Sequence, residues 1–216
     1  MPEYAKPALT EALRAAILAG EYAPNQRLVE IDLCERFGTS RFNLRSALQE
    51  LAAQGLVEFQ RNRGARVREV SLAEAIEITE VRILLEGMLA ARAAERVTKS
   101  DTAMLRALIR EMRTAVERSE LLPYSELNAR LHAMIRDIAA HETASRLLRQ
   151  LRDQTVRHQF SLSLVPGRPA VSLPQHEAIV AAITAREPEV AERAMHSHLQ
   201  SVIDAFRALS GAAMQR

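Results

Sequence analysis

Apolar residues recur at helical spacing along most of this chain, and the one stretch where the spacing changes is short and rich in arginine. Leu9, Ala12, Leu13, Ala16 and Ile17 form the apolar side of a leading helix. Leu28, Ile31, Leu33, Cys34 and Phe37 give a rougher stripe, read as a second helix that Gly38 ends, since glycine enters the left-handed region without a Cβ penalty. Ser40 then offers a hydroxyl as N-cap for a third helix. There Leu44, Ala47, Leu48 and Leu51 repeat at i, i+3, i+4 and i+7, which leaves Arg41, Asn43, Arg45 and Gln49 facing outward. Gly55 closes that helix, Leu56-Val57-Glu58-Phe59 reads as a strand, Arg61-Asn62-Arg63-Gly64 as its turn, and Ala65 to Val70 as the returning strand. The expected unit is a helix-turn-helix followed by a hairpin wing.

After residue 70 the texture changes: glycine becomes scarce, alanine and leucine abound, and long helical stripes follow one another. Ser71 and Glu74 have the spacing of a capping box for a helix to about Val97, and Asp101 is placed as the cap of a helix to about Leu121. Pro123-Tyr124-Ser125 opens a helix to about Ala139, and His141-Glu142 opens one to about Phe160. Pro166-Gly167-Arg168-Pro169 reads as a loop, Ser172 and Gln175 as a second capping box around Pro174, and Pro188 as the start of the last helix. The fold class is therefore mostly α: a winged helix-turn-helix over 1–69, then an all-helical bundle of six helices over 70–216.

Charge sharpens this reading. Between Arg41 and Arg68 six arginines face two acids, Glu50 and Glu58, a surplus of four in a chain whose balance is only +2. Cations so concentrated neutralise phosphates, which points to double-stranded DNA as partner. Arginines in the first turns of a recognition helix meet base edges, and an arginine-tipped hairpin suits a groove or the phosphate backbone. The candidate DNA-reading surface is thus Ser40, Arg41, Phe42, Asn43 and Arg45 with Arg61, Asn62, Arg63 and Gly64 at the wing tip. With 216 residues the chain exceeds one small winged helix by about 145, enough for a second core. Although 48% of residues are hydrophobic, no apolar run approaches the roughly 18 needed to span a bilayer, and no leader is seen. A cytoplasmic protein without a membrane partner is expected. Cys34, the one cysteine, reads as a small core residue.

Four polar residues of the helical half carry candidate chemistry. Asn128 and His132 are spaced i, i+4 beside the stripe Leu127, Leu131, Met134, Ile135 and Ile138. His176 is in register with Ile179, Val180 and Ile183, and His198 with Met195, Val202 and Phe206, so both point at the bundle interior, while His196 does not. Three inward imidazoles and an amide oxygen suit a divalent transition ion, zinc or nickel foremost, with a position left open for solvent or effector. Arg82 lies on an apolar stripe with Ile78, Leu85 and Leu89 and needs a partner there; an i, i+4 bridge to Glu86 is the expected one. His141 and His158 are read as surface or helix-end residues.

The first 70 residues resemble the winged-helix domain of the GntR superfamily of bacterial transcription regulators. The matching phrases are Ile17-Leu18-Ala19-Gly20-Glu21-Tyr22-Ala23-Pro24, Arg27-Leu28-Val29-Glu30, Ser40-Arg41, Arg45-Ser46-Ala47-Leu48 and Gly55-Leu56-Val57. The resemblance implies operator contacts for Arg41 and Arg45 and a minor-groove role for the wing. Phe42-Asn43-Leu44 stands where members carry Thr-Pro-Val, and Asn25 where they carry glycine, which leaves the operator sequence open.

The second half resembles the FCD effector domain of one branch of that superfamily, through Asn128 and His132, Gln175-His176-Glu177-Ala178-Ile179 and Met195-His196-Ser197-His198-Leu199. It implies a metal held by Asn128, His132, His176 and His198, a small organic acid docked beside it with Arg82 among its contacts, and a homodimer that represses until the acid arrives. Asn128 replaces the usual aspartate, and a neutral amide oxygen weakens such a ligand set. The competing expectations are a metal-dependent hydrolytic enzyme, since three histidines with an open position can activate water, and an architectural DNA-binding protein without effector.

Overall fold

The computed structural model describes the backbone of residues 6–213 and the side chains of 8–209. Among them are nine helices and a three-stranded sheet, which fall into two compact units. The first runs to Ser71 and takes in Arg152–Val156; the second comprises the rest.

In the first unit α1 (Lys6–Leu18), β1 (Arg27–Leu28), α2 (Glu30–Phe37), α3 (Arg41–Ala53), β2 (Val57–Gln60) and β3 (Gly64–Val67) follow in order. Leu9 and Leu13 of α1 and Leu44, Ala47, Leu48 and Leu51 of α3 are fully buried together, and each leucine contributes about 1.5–3 kcal/mol by leaving water. Gly38 ends α2 at φ 57°, ψ 44°, the left-handed geometry expected of it. Ser40 caps α3 by accepting the Asn43 backbone N–H at 3.2 Å.

The stripe read across α2 needs correction. Leu28 is buried from β1, which pairs with β3 through Leu28↔Ala65, so the sheet order is β1-β3-β2. Two residues are too few to show a strand period. Because α2 starts only at Glu30, its core side is Leu33 and Phe37, one turn apart, and Ile31 falls on the outer side, 54% exposed. Cys34 is half-buried against that core. The β2–β3 hairpin forms where it was read, but Gln60↔Gly64 closes the turn, so Gly64 belongs to β3 rather than to the turn, and β3 ends at Val67 rather than Val70.

The second unit is all helical: α4 (Leu72–Arg96), α5 (Lys99–Glu117), α6 (Leu121–Ala139), α7 (Glu142–Ser163), α8 (Arg168–Thr184) and α9 (Pro188–Ala213). α4 packs along α9 and against α6, and α8 packs on α9 and α5, around a core that includes Leu89, Leu105, Met112, Leu131, Ile135 and Leu199. At Gly87 the α4 and α9 surfaces approach closely: a Cβ there would fall 2.1 Å from His196 Nε2.

Three helix starts differ from the sequence reading: α6 begins at Leu121, two residues before Pro123 and where α5, which ends at Glu117, was read to reach; the other two are α5 and α8. Thr98, not Asp101, is the N-cap of α5. Its hydroxyl accepts the Asp101 N–H, while the Asp101 carboxylate accepts the Thr98 N–H, a reciprocal box that puts Asp101 in the first turn and holds its pKa low. α8 begins at Arg168 rather than Ser172. Pro169 is tolerated in the first turn, where its missing N–H costs nothing, and Pro174 sits inside the helix with its side chain exposed. Ser172 and Gln175 therefore form no cap; Ser172 is buried, and both sit on helical turns that lead to His176.

Candidate functional site

The start of α3 and the wing tip carry the first candidate surface. Arg41 and Phe42 open α3 on the solvent side, Phe42 81% exposed, while Asn43, whose backbone N–H is bonded to the cap, is half-buried. Arg45 is exposed too, yet its Nε bonds both carboxylate oxygens of Glu30 on α2, at 2.9 and 3.1 Å, which raises its pKa. Arg61, Asn62, Arg63 and Gly64 are exposed at the hairpin tip, with Asn62 at φ 63° and Gly64 at φ 80°. In β3 Arg66 pairs with Glu58 directly across the ladder. Two arginines of the cluster thus have acid partners, and Arg41, Arg61 and Arg63 stand in solvent with no ion pair among the described residues. Charge counting alone did not separate these groups.

The second candidate site lies in the helical unit. His132 of α6, His176 of α8 and His198 of α9 are 3%, 1% and 4% exposed, and one ring nitrogen from each lies within 4.8 Å of the others. Each ring is oriented by a different neighbour at Nδ1. The Glu86 carboxylate holds His132 Nδ1 at 2.6 Å, the Gln175 amide oxygen holds His198 Nδ1 at 3.0 Å, and the Tyr124 hydroxyl meets His176 Nδ1 at 3.1 Å. Fixing Nδ1 as donor leaves Nε2 with a bare lone pair, the form in which imidazole binds a metal. His176 Nε2 and His198 Nε2 are 3.2 Å apart. Since His198 keeps its proton on Nδ1, His176 is the donor of that contact, and Tyr124 donates to His176 Nδ1.

Burial holds the pKa values of His176 and His198 well below the usual imidazole range, with neighbouring imidazoles adding to the effect, so both are neutral. Arg82 Nε and Nη2 bond Glu86 Oε1 at 2.9 and 2.7 Å, the expected i, i+4 bridge, while Glu86 Oε2 serves His132. One carboxylate therefore links the arginine of α4 to the histidine of α6.

Asn128 stands one turn before His132, and its Oδ1 is buried without a hydrogen-bond partner. A buried amide oxygen costs free energy unless something approaches it. Three imidazoles and this oxygen suit a borderline divalent ion such as zinc or nickel, and the residues present fit such a group. His196 lies outside the cluster, half-buried beside Gly87; His141 caps α7 by accepting the Ala144 N–H; His158 packs against Phe206.

The sequence reading gave Tyr124, Gln175, Arg136 and Arg168 no place in the site. Tyr124 and Arg136 extend the Asn128–His132 series by one turn each way, a signal that was there to read. Arg168 and Ser172 are spaced i, i+4 and i+8 with His176, visible only once α8 starts at Arg168.

Residues 6–67 match the family model for bacterial regulatory proteins, gntR family, and residues 77–201 match the FCD domain. The chain is similar to the HTH-type transcriptional repressor RspR of Escherichia coli (strain K12), 30% identical over 195 residues, which cover 90% of this chain and 86% of that one. The HTH-type transcriptional regulator LutR of Bacillus subtilis (strain 168) is 28% identical over 206 residues, 86% of this chain and 93% of its own. In fold the chain is similar to E. coli McbR/YncC, with a TM-score of 0.77 at 21% identity over 95% of this chain and 98% of the other.

Proposed function

The chain belongs to the GntR family of bacterial regulatory proteins and carries an FCD domain, and from that premise we propose a metal-dependent sensor of a small carboxylate that acts as a repressor. It is a DNA-binding transcription regulator; the proposal concerns how it works. Residues 1–69 form the DNA-binding domain, with Ser40, Arg41, Phe42, Asn43 and Arg45 at the major groove and Arg61, Asn62, Arg63 and Gly64 at the backbone or minor groove. Residues 70–216 form the effector and dimerisation domain. A homodimer matches a two-fold operator because each winged helix reads one half-site. The protein acts in the cytoplasm, where its DNA is, and no helix among the described residues is long and apolar enough to cross a membrane.

The observation that carries the sensor reading is the anchoring of all three imidazoles through Nδ1, with the unpartnered Asn128 Oδ1 beside them. His132, His176, His198 and Asn128 would hold the ion, which supplies a Lewis-acid position for a carboxylate oxygen. His132 and His198 already present bare Nε2 atoms. His176 must move its proton to Nδ1, where the Tyr124 oxygen accepts it and the Tyr124 hydrogen turns to Ser172, with which it already interacts. Arg82 contributes an N–H, Nη1, that is buried without an acceptor and available to the acid. A hydrolytic role is disfavoured because Glu86, the carboxylate that reaches the imidazoles, is engaged by His132 and Arg82.

Regulation requires only that the acid prefer one spacing of the two winged helices; a tenfold preference corresponds to about 1.4 kcal/mol of coupling. The test is elemental analysis of untagged protein purified without chelator, beside a variant with His132, His176 and His198 all changed to Ala. Roughly one zinc or nickel ion per chain in the parent and none in the folded variant is expected. Absence of bound metal in the parent, even after loading, would overturn the metal site and leave the DNA-binding half standing.

A further inference from the structure

The charges around the histidine cluster do not balance. Arg82 and Glu86, each 3% exposed at the side chain, neutralise one another. Two further guanidinium groups stand close by. Arg136 lies one turn beyond His132 on α6, near Glu86 and Asp137, with Nη1 buried and without an acceptor among the described residues. Arg168, at the start of α8, lies near Tyr124, His176 and His198. Its Nη1 bonds the Ser201 carbonyl and hydroxyl at 3.3 and 2.9 Å, which fixes the guanidinium plane, while Nη2 is buried and without an acceptor. Neither arginine has an ion pair among the described residues, and burial lowers the pKa of both.

Half-buried cations without counter-ions are costly, and a guanidinium edge with a free N–H is shaped for a carboxylate. Position gives the arrangement direction. Tyr124, Asn128, His132 and Arg136 follow at one-turn intervals on α6, so the Tyr124 end, where Arg168 sits, is about 18 Å along the helix axis from Arg136. Asn128 and His132 lie between its ends.

We propose that the effector is a dicarboxylate, one carboxylate taken by Arg136 and the other by Arg168, with the histidine cluster between them. This rests on the carboxylate-sensor reading and narrows it: a monocarboxylate satisfies one arginine and leaves the other charge uncompensated. Arg136 and Arg168 are then specificity residues that set the number of acid groups, while Arg82 serves whatever carboxylate lies beside the cluster.

The experiment is calorimetric titration of the zinc-loaded full-length protein with acid pairs of matched length: butyrate against succinate, valerate against glutarate, hexanoate against adipate. At least one diacid should bind tenfold or more tightly than its monoacid. Arg136→Gln and Arg168→Gln should each remove that preference while monoacid binding persists, which also shows that the variants fold. Arg168→Lys, keeping the charge but losing the paired N–H groups, should retain part of it. Equal affinity for both acids of every pair, or a preference that survives both glutamine variants, overturns the dicarboxylate assignment alone. Failure of every acid to bind the parent protein overturns the carboxylate reading and this assignment with it.

Discussion

Glu86 Oε2 lies 2.6 Å from His132 Nδ1, and the other oxygen of the same carboxylate takes two N–H groups of Arg82. The two demands on Glu86 are chemically distinct. Toward His132 it fixes a tautomer and strengthens the Nε2 lone pair; toward Arg82 it cancels a buried charge. A buried ion pair is weak evidence for stability, but this one also sets the ring orientation at the proposed metal centre.

Glu86→Gln keeps the shape of the side chain but removes its charge. The amide keeps one oxygen but offers an NH2 group to the other neighbour, so zinc affinity should fall about 10- to 100-fold with the fold intact. Glu86→Ala should also destabilise the protein by about 3–5 kcal/mol, because Arg82 is left buried and unpaired. Chelator competition measures the first effect and thermal unfolding the second. Unchanged zinc affinity in the glutamine variant would remove Glu86 from the site.

Arg45 makes a different prediction from the one its sequence position invites. It is exposed but occupied by Glu30, so reading a base requires breaking that pair. Arg45→Ala should weaken operator binding by about 1–3 kcal/mol and relax specificity at one base pair. Glu30→Gln should do the opposite, releasing the arginine and tightening DNA binding. Fluorescence anisotropy on an operator and on scrambled duplex distinguishes them; weaker operator binding by the Glu30 variant would contradict the assignment.

How far the sequence reached depends on the length of the signal. α3 was legible because Leu44, Ala47, Leu48 and Leu51 repeat over two turns and Ser40 and Gly38 mark its approach. β1 was not, since Arg27 and Leu28 span a single strand period and acquire meaning only by pairing with β3. The three histidines could be placed on inward faces by periodicity, and the family resemblance joined them into one set. Their orienting partners come from elsewhere: Gln175 serves His198 on another helix, and Glu86 reaches His132 from a distance of 46 residues in the chain. Contacts between helices leave no periodic trace. Pro174 misled directly, because a proline inside a helical stretch reads as a start or a break, and α8 instead absorbs it on an exposed side.

The wing arginines should act on affinity rather than on sequence choice. Arg61 and Arg63 are exposed at the hairpin tip, with no ion pair among the described residues. If each neutralises a phosphate, Arg61→Ala with Arg63→Ala should reduce the slope of log affinity against log salt by about 1 per arginine. The loss should be similar on operator and non-operator DNA. Titrations between 50 and 200 mM potassium chloride, roughly the range over which such contacts are screened, decide this. A steep loss on operator DNA alone would assign the wing to base reading.

Asn128 permits a gain-of-function test, which a damaged fold cannot imitate. Its Oδ1 is buried and unpartnered, one turn from His132, so the position is built for an oxygen ligand but supplies a neutral one. Asn128→Asp changes the charge with little change in volume. Without metal, a carboxylate buried there gives up its hydration with no ion to ligate, and the thermal midpoint should fall. With zinc, the negative oxygen should raise affinity tenfold or more, about 1.4 kcal/mol, and the variant should regain at least the parent's stability by mass action. Opposite shifts of the metal-free and metal-loaded midpoints are therefore expected from one substitution. A variant that loses stability in both states, with zinc affinity unchanged, would show that Asn128 packs beside the cluster without serving as a ligand.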